Sequence, residues 1–461
     1  MSDRGSRPAL GIQNRDALLN HGDRSARGLL VDLVDGVFDA LRPTVLLADI
    51  ATVEDGVLTI ESETYNLGNF EDVYLVGSGK GSQAVVEAVS ELFETDLVTP
   101  LVVEKRGQVR DADGIRVLAA DHPVPSPASE RAGETILDLA NEAGPDDLVL
   151  VVVTGGTSAL LAAPPVDIDV RDLATVTDQL LRTGAPIEDI NTVRKPLSRL
   201  KGGRLAERLA PATVVGLIMV DEVAGEPWGP TVPDRTTPAD GRAVLRRYDL
   251  WDAVPASVRD HLAGANDNSA GSEDTPSTLS STIHNVVLAE GTDACEAAAR
   301  LACDRGYEAA ILSTTVEGES EDVAQALTSI ANEVEAYGRP VKPPCVLISG
   351  GETTVTVPDD AGEGGPNQEF ALACADRIAG KDLAVVAVGT DGTDGPTDAA
   401  GGLVDGTTVH QARECDVDLA DMLRRHDSTT ALQAVGDVVY TSVGTNVMDL
   451  RLFYVGADRA K

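Results

Sequence analysis

The chain has 461 residues, a formal net charge of −38 at pH 7 and 43% hydrophobic residues. This length favours two domains with buried cores, and the acidic balance excludes nucleic acid and anionic membrane surfaces as binding partners. No apolar run approaches the roughly 18 to 20 residues that span a bilayer, and the opening "MSDRGSRPALGIQNRD" has no apolar signal region, so the expected location is the cytoplasm.

The first predicted elements are one or two amphipathic helices between Ala17 and Leu41. From Val73 onward, short β-branched runs alternate with helical stretches. The runs "VYLVGS", "LVTPLVV", "DLVLVVVTGG" and "TVVGLIMVDEV" are nearly continuous in apolar residues, which indicates a parallel sheet covered on both faces. We therefore predict a Rossmann-like, doubly wound α/β domain over residues 20–262.

The composition changes between residues 263 and 281, where "AGANDNSAGSEDTPSTLSS" is polar and rich in Gly, Ser and Asp. This segment is predicted to be a linker between two domains. Beyond it, strands such as "CVLISGGETTVTV" and "DLAVVAVGTDG" alternate with helices such as "SEDVAQALTSIANEVEAYG". The pattern predicts a second α/β domain with a mixed sheet over residues 282–455.

The stretch "VYLVGSGKGSQAVVEAV" predicts a strand, a glycine-rich turn and a helix. It fails the P-loop pattern because Tyr74 stands at the first glycine position and Gly81 replaces the Ser or Thr. It fails the dinucleotide fingerprint because Ser82 stands at the third glycine position. A strand that enters a helix through small residues nevertheless directs backbone N–H groups toward an anion, and Lys80 adds a positive charge. The turn is therefore predicted to bind an anion.

Two further segments of the first domain are candidates for substrate binding. In "VVVTGGTSALLAAP", a buried strand ends at Gly155 and Gly156 before Ser158 opens a helix, a pattern equally typical of a ligand-binding loop and of a tight turn with a serine cap. The segment "INTVRKPLSRLKGGRLAE" concentrates basic residues in a strongly acidic chain that uses lysine rarely. Its glycine pair favours a carboxylate or phosphate site that includes Arg194 and Lys201, rather than a row of surface salt bridges.

Aspartates follow predicted strands in both halves of the chain. Asp221 ends the apolar run "GLIMV", where a carboxylate can hold magnesium, accept a hydroxyl proton or cap the following turn. In the second half, "VGTDGTDGPTDAAGG" carries Asp391, Asp394 and Asp398 after a strand. Their spacing does not match a calcium loop, so magnesium–nucleotide binding and a solvated acidic loop both stay open.

Together, anion-binding turns, a few fixed cations and strand-end carboxylates match the requirements of phosphoryl transfer. The sequence has no evident Ser/His/Asp arrangement, and His122 in "DHPVPSP" is the only histidine within a motif-like segment.

Two properties of the whole chain give further expectations. The five cysteines are odd in number and lack C-x-x-C spacing, so they are predicted to be small buried hydrophobes. Acidic residues are spread along the entire chain, and high salt would screen their mutual repulsion, so we predict adaptation to high salt.

Nine segments in chain order resemble the class II glycerate kinases, whose C-terminal part is a MOFRL-type domain. They are "VGSGKGSQAV", "DHPVPSPAS", "VVVTGGTSALL", "INTVRKPLSRLKGGRLA", "VDEVAGEPWGPTVPD", "SGGETTVTV", "NQEFALA", "TDGTDGPTDAAGG" and "VGTNVMDL". The resemblance implies ATP-dependent phosphorylation of D-glycerate at its 2-hydroxyl to give 2-phosphoglycerate, with Mg²⁺, in a cleft between two α/β domains. Glycerate and ATP are then the expected partners, and the sequence leaves a homodimer open.

The resemblance also implies roles for individual residues. Lys80 matches the family's lysine in the first glycine-rich turn and is expected to be catalytic. Asp221 and Asp391 match family aspartates, and either is expected to hold Mg²⁺ or to orient the attacking hydroxyl. Beyond these matched residues, the glycine-rich and basic segments of the first domain are expected to contact glycerate through Gly155, Gly156, Ser158, Arg194 and Lys201. The expected nucleotide contacts are Gly79, Gly350, Gly351, Glu352, Asn367, Thr390, Asp394 and Asn446.

Two segments depart from the family pattern. Pro366 stands where the family usually has the arginine of G-R-N-Q-E, and proline cannot replace its charge. The family's S-G-P-T segment reads W-G-P-T from Trp228 to Thr231.

Two other functions stay open. An NAD(P)H-dependent hydroxypyruvate reductase is favoured by the turn at Gly77 but opposed by the missing third glycine. A non-catalytic sensor of a sugar acid or nucleotide is favoured by the lost arginine.

Overall fold

The computed structural model describes residues 11–93, 97–219, 228–264, 275–280, 282–358, 360–442 and 446–457. These residues form two compact units. The central unit comprises the described residues from Leu46 to Leu288, and the discontinuous unit comprises those up to Val45 together with those from Ala289 onward.

The strands, numbered in chain order, are β1 (Gly11–Ile12), β2 (Ala51–Glu54), β3 (Val57–Ile60), β4 (Glu63–Asn66), β5 (Val73–Ser78), β6 (Leu101–Lys105), β7 (Arg116–Ala120), β8 (Leu148–Val153), β9 (Thr213–Met219), β10 (Ile283–Ala289), β11 (Glu308–Val316), β12 (Cys345–Gly351), β13 (Leu383–Gly389), β14 (Gly401–Asp405), β15 (Val438–Val439), β16 (Thr441–Ser442) and β17 (Asp449–Val455). The α-helices are α1 (Arg15–Leu18), α2 (Arg24–Ala40), α3 (Pro43–Ile50), α4 (Ser82–Leu92), α5 (Pro127–Glu142), α6 (Thr157–Leu160), α7 (Val170–Arg182), α8 (Ile187–Arg194), α9 (Arg204–Leu209), α10 (Pro238–Arg247), α11 (Ala256–Gly264), α12 (Gly291–Asp304), α13 (Ser320–Tyr337), α14 (Pro366–Arg377), α15 (Thr408–Glu414), α16 (Leu419–Arg424) and α17 (Ser428–Val435).

The central unit is built on a sheet with strand order β10-β9-β8-β5-β6-β7, in which β5 to β9 pair in parallel. Every residue of β5 and of β8 is buried, as expected for apolar strands covered on both faces. From β5 the chain proceeds outward through β6 to β7, and then returns to β8 on the other side of β5. This reversal is a topological switch point, where open α/β sheets bind their ligands at the carboxyl ends of the strands.

The discontinuous unit contains a mixed sheet with strand order β11-β12-β17-β13-β14-β15. Strand β17 is antiparallel to both β12 and β13, so these two strands run in the same direction and end at the same edge. Alternate strand residues such as Leu347, Val385 and Phe453 form one buried core with α13 and α14, while α2 and α12 also pack on the sheet. The predicted fold class, a parallel α/β sheet followed by a mixed one, is confirmed.

The predicted domain boundaries differ from these units in two places. Helix α2 belongs to the discontinuous unit, because its buried Arg27 pairs with Asp405 and Asp437. Strand β10 lies beside β9 in the sheet of the central unit, so the second domain does not begin at residue 282.

Two further expectations concern cysteine burial and membrane spans. All five cysteines are free, and the prediction that they are buried is confirmed for Cys295, Cys345 and Cys374 but wrong for Cys303 and Cys415, which are exposed. Within the described ranges, no helix has both the length and the apolar character needed to cross a bilayer.

Candidate active site

Two glycine-rich turns meet at the switch point of the central unit. The Lys80 N–H donates to the Gly155 carbonyl (2.7 Å), and the Thr154 hydroxyl donates to the Lys80 carbonyl (2.9 Å). Gly79 has a φ of +128°, and a Cβ there would overlap the Thr154 side chain, so glycine is what allows the turns to approach this closely. Backbone contacts between the turns therefore fix the point from which the Lys80 side chain extends.

The N-terminus of α4, predicted to bind an external anion, is filled by the protein's own carboxylate. Glu104, buried in β6, accepts from the backbone N–H groups of Gly81 and Gln83, each at 3.1 Å. The Gly79 N–H donates to the Val103 carbonyl (3.2 Å). The prediction that this turn presents open backbone donors to an anion is therefore wrong, and the Lys80 side chain stays a predicted ligand contact.

The second turn, between β8 and α6, retains backbone donors. The buried Thr157 hydroxyl donates to the carbonyls of Ser78 (2.6 Å) and Thr154 (2.7 Å), which anchors the turn to both strands. Among hydrogen bonds between described residues, none uses the N–H groups of Gly155, Gly156 or Ser158. These groups and the partly exposed Ser158 hydroxyl are what the turn offers to an anion.

Two buried cations lie in the polypeptide that packs next to this second turn. Arg194 is 6% exposed and Lys201 is 7% exposed. The Lys201 Nζ donates to the Leu161 carbonyl just after α6 (3.0 Å), and the Arg194 guanidinium donates to the Pro123 carbonyl (3.2 Å). Neither side chain forms an ion pair with a carboxylate of the described residues. A buried charge without a counter-charge is costly, and a bound anion would reduce that cost.

The pKa values of Arg194 and Lys201 reflect their burial. Burial lowers the pKa of the Arg194 guanidinium to about 10. Burial, with a smaller contribution from the Arg194 charge, lowers the pKa of the Lys201 ammonium to about 7. A bound carboxylate would favour the charged form of both groups and raise both values.

The other basic residues of the same segment already have partners. Lys195 pairs with Asp234 (2.5 Å), and Arg199 pairs with Glu134. Arg204 donates to the backbone carbonyl of Lys195 (2.8 Å). The segment that looked uniformly basic in the sequence thus divides into cations with structural partners and the buried pair of Arg194 and Lys201.

In the discontinuous unit, polar side chains collect where β12 and β13 end and β17 begins. Asp449, the first residue of β17, is in register with Gly351 of β12 and Gly389 of β13. Its carboxylate accepts from the Asn367 amide (2.7 Å) and the Arg451 guanidinium (2.8 Å). Burial raises the pKa of Asp449, although the Arg451 charge and the Asn367 hydrogen bond oppose this change.

Asp394, one of the predicted nucleotide contacts, has an internal role. It is 2% exposed and accepts from the backbone N–H groups of Asn367 (2.9 Å) and Gln368 (2.8 Å) at the start of α14. Burial raises its pKa to about 7 despite these hydrogen bonds. Its carboxylate occupies the N-terminus of α14 as Glu104 occupies that of α4, so both helices are capped from within. Neither Asp394 nor the Asn367 N–H is open to a nucleotide.

Asp391 and Thr390 follow β13 but have different environments. The partly exposed Asp391 carboxylate accepts from the N–H (2.9 Å) and the hydroxyl (3.0 Å) of Thr393. The buried Thr390 hydroxyl donates to the Met448 carbonyl (2.6 Å) and accepts from the Val447 N–H (2.8 Å). Thr390 therefore fixes the segment that leads into β17, whereas Asp391 keeps a carboxylate at the surface.

The remaining predicted residues lie at the edges of this cluster. The chain leaves β12 through the buried Gly350 and Gly351 and reaches the exposed Glu352, while Asn446 is buried just before β17. Asp221, predicted to be catalytic and to bind metal, lies outside the described residues.

Two family models match the chain: a domain of unknown function, DUF4147, over residues 29–263, and the MOFRL family over residues 345–449. A glycerate 2-kinase from Pyrococcus horikoshii is 37% identical over 439 residues, which are 93% of this chain and 97% of the relative. The chain belongs to the glycerate 2-kinase family.

A solved structure and a further sequence relative also match this glycerate 2-kinase family member. The crystal structure of a glycerate kinase from Thermotoga maritima matches with a TM-score of 0.78 and 33% identity, covering 94% of this chain and 99% of that one. A relative from Agrobacterium vitis, 36% identical over 83% of this chain and 99% of its own length, is named a putative hydroxypyruvate reductase.

One residue that sequence reasoning missed in this glycerate 2-kinase family member is Arg451. It is fully buried, donates to Asp449 (2.8 Å) and Thr353 (2.9 Å), and lies 5.1 Å from the Phe370 ring centre. Phe370 lies one turn of α14 after Pro366, the position where the family usually has its arginine. The signal in the sequence was a lone arginine inside the apolar strand "DLRLFYV".

Magnesium binding can be tested against the side chains of the discontinuous unit. No group of three or more His, Cys, Asp or Glu side chains among the described residues is arranged to hold a metal ion. Burial, with a smaller contribution from the Asp391 charge, raises the pKa of Asp449. Both carboxylates lie close to Gly389. Mg²⁺ commonly binds through one or two carboxylates and the phosphates of its nucleotide, a donor set that Asp391 and Asp449 fit.

Proposed function

We propose that this family member is an ATP-dependent glycerate 2-kinase, which transfers the γ-phosphoryl group of ATP to the 2-hydroxyl of D-glycerate. The observation that carries the proposal is the buried pair of Arg194 and Lys201, which lacks a carboxylate partner among the described residues. A small acid would supply the missing negative charge. The pair lies near the bonded turns from which Lys80 extends, so the acid and a phosphoryl group would be close together.

In this mechanism, Arg194 and Lys201 bind the carboxylate of glycerate, and Ser158 with the N–H groups of Gly155 and Gly156 binds its hydroxyls. Lys80 stabilises the negative charge of the phosphoryl group during transfer. Hydrogen bonds between the two turns hold these groups in fixed positions. Fixed alignment and charge stabilisation are the main protein contributions to phosphoryl transfer.

For the nucleotide we propose a role for the polar cluster of the discontinuous unit. Asp391, with Asp449 beside it, would hold Mg²⁺, which when bound neutralises charge on the β- and γ-phosphates. Gly79, Asn367, Thr390 and Asp394 bond within the protein, and we keep the other predicted nucleotide contacts as proposals. These are Gly350, Gly351, Glu352 and Asn446.

One assay pair tests this function against its alternatives. The protein is incubated with D-glycerate, ATP and Mg²⁺, and separately with hydroxypyruvate and NADH. Glycerate-dependent ADP release supports the kinase, and phosphorus NMR of the product identifies the 2- or the 3-hydroxyl as the acceptor. NADH oxidation without ADP release would support the reductase named in some relatives, and no activity in either assay would favour a sensor.

A homodimer and a cytoplasmic location stay predictions that gel filtration and cell fractionation can test.

Replacing Lys201 by methionine is expected to weaken the binding of D-glycerate and, at the same time, to stabilise the fold. The variant loses a buried charge without a partner, so the free energy of unfolding should rise by about 1–4 kcal/mol at pH 7. The KM for D-glycerate should rise at least tenfold, since one carboxylate contact to a charged group contributes roughly 1.5–3 kcal/mol. Urea unfolding and steady-state kinetics measure the two effects, with Lys342→Met at an exposed position as the control.

In the wild-type protein, kcat/KM for D-glycerate is expected to depend on pH through Lys201. The Lys201 pKa of about 7 means that this group loses its proton as pH rises through neutrality. Because the charged form binds the carboxylate, kcat/KM for D-glycerate should fall above about pH 7. Unchanged glycerate affinity in Lys201→Met would remove this residue from the substrate site.

The net charge of −38 supports a further proposal, that the protein works in high salt. Raising KCl from about 0.1 M to 1 M shortens the screening length from about 10 Å to 3 Å, which weakens repulsion between surface carboxylates. The free energy of unfolding in urea should therefore increase over this range. Equal stability in dilute buffer and in concentrated KCl would contradict the proposal, and a sucrose series controls for exclusion effects that do not depend on charge.

A further inference from the structure

The DHPVPSP segment, residues 121–127, lies beside the second glycine turn of the candidate site. It connects the carboxyl end of β7 to the start of α5. A Cβ placed on Gly156 would lie 3.0 Å from His122 Cδ2 and 3.3 Å from His122 Nε2, and also 3.3 Å from Lys80 Cγ. The imidazole and the lysine stem therefore border the same spot above the second glycine turn.

The next residue of this segment reaches the buried cation pair. The Pro123 carbonyl accepts from the Arg194 guanidinium (3.2 Å), and the charge of Arg194 acts on Lys201. The His122 ring thus lies near the stem of the lysine proposed to bind the phosphoryl group, and the residue after it bonds the arginine proposed to bind the carboxylate. In a three-carbon acid, the atom between those two ends is the carbon that carries the 2-hydroxyl.

We infer that His122 is a catalytic residue that accepts the proton of the attacked hydroxyl group. This inference rests on the proposed kinase function and assigns a role that composition and spacing left open. As the hydroxyl oxygen forms its bond to the γ-phosphorus, its O–H bond breaks and the proton passes to the imidazole. The bond between the γ-phosphorus and the bridging oxygen breaks, and its electron pair leaves with ADP. Histidine suits this step because its charge changes near neutral pH.

Two cations lie on elements that pack near this segment. Lys80 lies on the turn after β5, with its Cγ close to the spot that borders the imidazole, and the Arg194 guanidinium of α8 donates to the carbonyl of Pro123, the residue after His122. The preceding Asp121 accepts from Arg106 (2.7 Å) and from the Ser126 hydroxyl (2.5 Å).

The test compares His122→Asn and His122→Gln with wild type in the full chain, at saturating ATP and Mg²⁺. Single-turnover rates and KM for D-glycerate are measured between about pH 5 and pH 8. The wild-type rate should decline on the acid side as the imidazole becomes protonated. Both variants should lose about 10²-fold in rate, keep KM within a few-fold of wild type, and lose the acid-side decline. The exposed His410→Asn is the matched control and should behave as wild type.

Three results would overturn the inference. A wild-type rate without an acid-side decline would do so with no variant needed, which covers the case in which substitution impairs folding. A variant with a near-normal rate, or one that changes only KM, would limit His122 to binding or to structure. If wild type releases no ADP with glycerate, the kinase proposal itself fails; if wild type is active and only the histidine results disagree, the role of His122 alone is lost.

Discussion

Replacing Lys80 by alanine is expected to lower kcat for glycerate phosphorylation by about 10³-fold, because a fixed charge aimed at the transferred phosphoryl group is lost. The fold should remain intact. The two hydrogen bonds by which Lys80 joins the neighbouring turn use its backbone N–H and carbonyl and not its side chain. The measurements are glycerate-dependent ADP release and a thermal unfolding curve.

Two comparison variants sharpen the experiment on Lys80. Lys80→Met keeps the apolar stem and should be as impaired as the alanine variant if charge is the cause. Lys342→Ala removes an exposed lysine from the other unit and should retain the wild-type rate. A near-normal rate in Lys80→Ala, with wild-type activity confirmed in the same assay, would exclude this lysine from the mechanism.

The largest expected loss of stability follows from Arg27→Met. The Arg27 side chain is fully buried on α2, donates to Asp437 (2.7 Å) and Asp405, and has no exposed surface through which water could replace it. Both aspartates are also fully buried, so the substitution leaves two carboxylates without their cation. The free energy of unfolding should fall by about 3–5 kcal/mol. Arg24→Met, on the exposed part of the same helix, should change it by less than about 0.5 kcal/mol.

The stability that Arg27 contributes is expected to decrease at low pH. Burial raises the pKa of Asp405, but the Arg27 charge and hydrogen bonds outweigh it, so the pKa lies below its ordinary value. Such a carboxyl contributes stability above its unfolded pKa of about 4, and that contribution is lost as pH falls through the folded value. The stability difference between wild type and Arg27→Met should therefore shrink below about pH 4 in urea titrations. A difference that stays constant into acid would show that the ion pairs are not its source.

The fold class was readable from the sequence because its determinants are local. Continuous apolar runs such as Leu148–Val153 become strands buried on both faces, and alternation with helices indicates parallel pairing. The boundaries of the two units could not be predicted from the sequence, because they depend on contacts between distant segments. Arg27 meets partners 378 and 410 residues away, and no local pattern at α2 reveals that it packs with the later part of the chain.

The candidate site shows the same division between local and distant information. The sequence shows the glycine-rich turns and the strand-end carboxylates, but it does not show which groups bond to them. The turn at Gly79 looked open to an anion until Glu104 was seen to occupy the helix N-terminus. In the sequence, Arg194 and Lys201 looked like Lys195 and its neighbours, and only the structure shows that they are buried without a carboxylate partner among the described residues, whereas Lys195 pairs with Asp234.

The interleaved order of the two units has a consequence for synthesis on the ribosome. Helix α2 emerges early, yet the carboxylates that bind Arg27 are translated 378 and 410 residues later, a delay of about 20 to 80 s at 5–20 residues per second. The central unit is complete by Leu288 and can fold during that interval. Meanwhile the amphipathic nascent helix exposes its apolar face, which makes the early chain a substrate for chaperones until translation supplies its partners.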